Sequence, residues 1–107
     1  MLAIFAARHE GTAQLKDLSG VSVNKLKRMA LNAERYDDAY TALHYYRPYA
    51  LKKSENAKVQ FHLAALHEKV RDYPAAAEAY RRAFELDENN PDALYRQAKM
   101  LKMSGKV

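Results

Sequence analysis

Four histidines, His9, His44, His62 and His67, are the side chains whose type most directly suggests acid–base or metal chemistry, since the chain has no cysteine. His62 and His67 are five residues apart, which on a helix turns them to different sides and spoils the spacing a metal needs. No glycine-rich phosphate loop and no pair of acids on a shared face accompanies them. The two carboxylates in "YDDAY" read better as charge at a helix start, where they favour the macrodipole. A non-catalytic chain with no cofactor and no metal is therefore expected.

The remaining chemistry is cationic and aromatic. A formal net charge of +5 favours acidic partners, whether an acidic peptide, a nucleic acid or an anionic membrane surface. The plain alternative is a surface that is merely soluble. Several of the eight tyrosines cluster in "YDDAYTALHYYRPY", where interleaved Arg and His could stack on the bases of single-stranded RNA. A competing reading turns Tyr36 and Tyr46 toward a neighbouring helix as packing residues with wet hydroxyls, which ranks RNA third among functions.

The elements that must position these groups are helical. With 49% hydrophobic and 29% charged residues, three glycines and three prolines, the 107 residues form one all-α domain. A cysteine-free chain suits the cytoplasm, the first expectation, and the periplasm as well. The opening "MLAIFAARHEG" is too short and too soon charged for a signal and reads as helix. No apolar run of about 18 residues is present, so membrane insertion is not expected.

Pro74 suits the first turn of a helix, and Asn90-Pro91 supplies an N-cap followed by a first helical residue. These signals predict helices over 57–70, 74–87 and 91–103. In the first, Val59, Leu63, Leu66 and Val70 mark the buried face. In the second, Ala76, Tyr80, Ala83 and Leu86 form the matching stripe. Small Ala64, Ala76 and Ala83 would let two antiparallel helices approach closely, with Leu63, Tyr80 and Phe84 filling the space beside them.

The pattern also repeats. Tyr36 pairs with Tyr73, Ala39 with Ala76, Leu43 with Tyr80 and Leu26 with Leu63, all at an offset of 37. Ala64 then meets Ala98 about 34 residues later. On these residues the chain resembles a tetratricopeptide repeat protein, with its best copy in "AKVQFHLAALHEKVRDYPAAAEAYRRAFELDENN", residues 57–90. The implied fold is a right-handed superhelical stack of antiparallel helix pairs. Residues 21–56 form a divergent, more loosely packed repeat, with Lys27 after Leu26 where a small residue is usual. Its second helix should end near Arg47, before Pro48. Residues 91–107 form a half repeat or capping helix. Residues 1–20 fit no full unit and could form a short helical pair over 2–10 and 12–18.

The resemblance implies a protein-binding module or assembly scaffold whose first helices line a concave groove. By helix position the groove should present Lys25, Arg28, Lys58, Phe61, His62, Lys69, Tyr95, Arg96, Lys99 and Lys102, a mostly cationic set suited to an acidic segment. A subtype that clamps a C-terminal carboxylate is not expected, because Asp92 stands where a lysine is wanted and Phe61 and Ala65 offer no polar grip. The last helix carries Leu94, Met100, Leu101 and Met103, which is too apolar for a terminal cap. That suggests a chain cut from a longer protein. It also makes a homodimer formed through this edge the main alternative function.

Overall fold

The computed structural model describes residues 18–105. Among them are five helices and no strand: α1 (Val23–Arg35), α2 (Ala39–Lys52), α3 (Ala57–Lys69), α4 (Tyr73–Leu86) and α5 (Pro91–Met103). Each packs on the next in the chain, giving the predicted all-α stack of antiparallel helix pairs. The short helical pair expected over 2–18 lies outside the described residues.

Helix starts are written in the sequence. Ser22, Asn56 and Asn90 cap α1, α3 and α5, and the first two accept a hydrogen bond from the backbone N–H three residues on. Asp38 and Asp72 do the same for α2 and α4. The hydrogen bonds Asp38 accepts from Thr41, through its side chain and then its backbone, hold its carboxyl below the usual carboxylate range.

The turn from first to second helix is a Schellman closure. Asp37 and Arg71 sit at φ 58° and 64°, and Gly105 at 77°. The N–H of Asp37 bonds Glu34 O while that of Asp38 bonds Ala33 O; Arg71 and Asp72 bond Glu68 O and His67 O in the same way. Asp38 and Asp72 thus close one helix and cap the next, which keeps each turn to a few residues.

These caps and turns recur every 34 residues (22, 56, 90; 38, 72; 37, 71, 105), which corrects the offset of 37. Aligning on tyrosines misled the register: Tyr36 is 78% exposed and, among the described residues, packs in neither core, whereas Tyr46 and Tyr80 are the true counterparts and both are buried. Pro48 does not end α2 either. The helix runs on to Lys52 because Tyr49 and Ala50, beyond the proline, are buried against Tyr46 and Val59, and the side-chain amide of Gln60 donates to Ala50 O at 3.2 Å. That packing offsets the hydrogen bond Pro48 cannot give.

The core has two parts. One joins Leu26, Ala30, Ala42, Leu43, Tyr46, Tyr49 and Ala50 to Val59 and Leu66 across the repeat junction. The other gathers Ala64, Ala76, Ala77, Ala79 and Tyr80 with Met100. The alanines do bring the backbones of α3 and α4 together. α4 needs so many because it is sandwiched between α3 and α5. Its outer side is held by Arg81, which bridges Glu78 and Glu85.

Candidate partner-binding groove

The 34-residue register fixes which side chains of α1, α3 and α5 fall side by side. One row holds Lys27, Phe61 and Tyr95, a second Arg28, His62 and Arg96, a third Leu31, Ala65 and Lys99, and a fourth Glu34, Glu68 and Lys102. Between α1 and α3 lies a cleft of about 340 Å³ that includes Lys27, Leu31, Lys58 and His62. A second, of about 290 Å³, includes Lys58, Phe61, His62 and Ala65 and reaches Asn90 at the start of α5. Lys58 and His62 line both, so the clefts join into one groove across the repeat junctions.

Two acids cross-link these rows. His62 Nε2 stands 2.7 Å from Glu34 Oε2, and the His62 ring packs on Tyr46 with centroids 4.8 Å apart. At the next junction Arg96 lies 3.8 Å from Glu68, whose Oε1 accepts a 2.8 Å bond from the Tyr80 hydroxyl. Burial, seconded by that bond, pushes the Tyr80 phenol up to about 12, and burial raises Tyr46 in the same direction. Arg96 also donates to Asp92 at 2.9 Å and sits 5.6 Å over the Phe61 ring. Asp92, ahead of Tyr80, favours its charged form.

The structure therefore separates the expected groove residues. Arg96 and His62 are committed to inter-repeat contacts rather than being free charges, and His62 lines both clefts. Lys58, Lys69, Tyr95, Lys99 and Lys102 are exposed, and the lysines among them make no ion pair with the described residues. Phe61 is half-buried, its ring edge against Tyr80 at 5.1 Å, and Arg28 is exposed beside Asn24, Lys27 and Leu31. Lys25 does not join them. Its counterparts Val59 and Ala93 are buried, whereas Lys25 is exposed on the first helix of the described residues, as is Asn32, the counterpart of buried Leu66 and Met100.

The apolar edge also needs correction. Met100 is fully buried in the second core, because it occupies the station of Leu66, which points back into the preceding repeat. Leu101 is half-buried against the same core, while Leu94 and Met103 are 48% and 49% exposed. Glu34, Glu68, Lys27 and Leu31 were missed as groove residues. The spacing of Glu34 and Glu68, matched by that of His62 and Arg96, was the available signal.

Among the described residues no group of three or more His, Asp or Glu side chains is placed to hold a metal ion, and no helix is long and apolar enough to cross a membrane. No curated protein matches the chain. Residues 57–100 match the family model for the tetratricopeptide repeat, a helical unit that generally serves protein–protein interaction or scaffolding and is not generally catalytic. Over that segment the chain is similar to the tetratricopeptide repeat, and the caps at Ser22 and Asp38 carry the same helix-pair geometry back through α1 and α2.

Proposed function

We propose that the chain is a non-catalytic binding module that holds an extended, carboxylate-rich segment of a partner protein along the groove of α1, α3 and α5. The observation that carries this is the pairing pattern: Glu34, Glu68 and Asp92 are occupied by His62 and Arg96, while Lys58, Lys99 and Lys102 are exposed and unpaired with the described residues. An acidic segment laid across Phe61 and Tyr95 meets flat apolar surface between these cations.

The test is fluorescence anisotropy of a labelled, glutamate-rich peptide against the protein and against Lys58→Glu/Lys99→Glu, at two salt concentrations. Binding that weakens with salt and is lost in the variant supports the groove. Equal binding by the variant refutes it.

A second reading is self-association through α5. It rests on Leu94 and Leu101, whose counterparts Leu26 and Gln60, and Ala33 and His67, are buried or half-buried in the preceding repeats. Leu101→Glu would then abolish a dimer seen by light scattering, and a monomer in the unchanged protein would refute it. RNA stays third, supported by exposed Tyr36 and Tyr40 and tested by the salt slope of binding.

A further inference from the structure

A cleft of about 610 Å³ lies between α2 and α4, floored by α3, and shares no lining residue with the groove of the first helices. Its apolar walls are Pro48, Leu51 and Leu63, and Leu51 is 79% exposed. Its charged groups are Arg47 and Arg82, and His67 also lines it. Arg82 is half-buried and donates to Ser54 O at 3.2 Å; neither arginine is in an ion pair with the described residues. The acids of α4 are engaged within that helix: Glu78 and Glu85 are bound by Arg81, and Asp72 caps it by accepting from the Ala75 N–H. A half-buried guanidinium with spare donors beside an uncovered leucine leaves two requirements unmet, a carboxylate and an apolar side chain.

We propose that this cleft is a second docking surface, which takes an acidic protein segment carrying a leucine-sized side chain flanked by carboxylates. The apolar side chain would lie on Pro48, Leu51 and Leu63, and the carboxylates would reach Arg47 and Arg82. Because α2 and α4 belong to consecutive repeats, a segment seated there clamps the repeat junction from the side opposite Glu34 and His62. The proposal is independent of the groove reading, since it uses different residues.

The test is amide chemical-shift mapping on the full chain with two blocked synthetic peptides, one with a leucine pair flanked by aspartates and one with the same pair flanked by lysines. Saturable shifts at Leu51, Ser54 and Arg82 are expected with the aspartate peptide and not with the lysine peptide. Arg47→Glu, on an exposed side chain, should weaken binding about tenfold, and Arg82→Gln should weaken it too. Lys58→Glu, on the other face, should leave these shifts unchanged. The proposal is overturned if the aspartate peptide leaves the cleft amides unmoved, if both peptides bind alike, or if shifts are confined to the groove around Lys58 and Phe61. It is also overturned if the cleft signals change on dilution without peptide, which would make a second copy of the chain the occupant.

Discussion

Glu34 reaches His62 at 2.7 Å across the first repeat junction, and 34 residues on Glu68 stands 3.8 Å from Arg96 across the second. The two contacts are one device used twice. An acid in the last turn of a first helix holds a base in the second turn of the next, and a buried tyrosine, Tyr46 or Tyr80, packs beside the base. The device sets the spacing of neighbouring first helices, and hence the width of the groove between them.

The Glu68–Tyr80 bond is the most buried part of that device. A double-mutant cycle of Glu68→Leu and Tyr80→Phe should give a coupling energy of about 1 kcal/mol, with the larger single cost in Glu68→Leu, which leaves the phenol unpartnered. Urea denaturation of the four proteins measures it. Strict additivity would mean the bond contributes nothing.

Ala76 is fully buried in the core that joins α3 and α4. Ala76→Leu should overpack the pair and cost about 1–3 kcal/mol, a large share of the roughly 5–15 kcal/mol typical of a folded domain. The exposed Ala98→Leu, at the station of buried Ala64, should change stability by about 0.5 kcal/mol at most. Similar losses at both sites would contradict the packing described.

Arg71 holds the left-handed conformation that Gly105 holds at the corresponding turn. Arg71→Gly should relieve about 1 kcal/mol of backbone strain, partly offset by the greater freedom of glycine in the unfolded chain. A thermal melt should show a net gain of a few tenths of a kcal/mol or more. A loss would mean that the arginine side chain is stabilising the turn.

How much of this was legible follows from the kind of signal each feature leaves. Asn90-Pro91 and the alanines of α4 act locally, so the helices of the second repeat could be read almost to the residue. The register of the first repeat could not be read from tyrosines, since Tyr36 and Tyr46 share a type but one is solvated and the other buried. Cap residues were the better ruler, because Ser22, Asn56 and Asn90 each occupy one fixed station. Pro48 misled because local propensity was overridden by burial of Tyr49 and Ala50. Helix position alone places cations on the first helices, but it does not reveal which of them meet an acid on the neighbouring helix. Lys25 and Met100 were misplaced for a related reason, since only the stacking shows which face of a helix is covered.

His67 supplies a pH test. Burial, partly opposed by Asp72 and reinforced by Arg47, lowers its pKa below the ordinary histidine value of 6.5. The unfolded chain then binds the proton more readily than the folded one. The stability contributed by the neutral ring is therefore full above about pH 6.5 and is lost as the pH falls through the lower, folded value. Urea midpoints should drop between about pH 7.5 and pH 5.5, a window above most carboxylate titration. The drop should be smaller in His67→Gln. An identical drop in both proteins would remove His67 as its source.

The central claim is that the exposed lysines of the first helices capture an acidic protein segment. The most direct measurement is affinity capture of protein from lysate by the unchanged chain and by Lys58→Glu/Lys99→Glu, with circular dichroism and light scattering recorded on both. The account predicts that the variant keeps its helicity and oligomeric state but loses an acidic protein the unchanged chain retains. Retention of the same protein by the folded variant would contradict it.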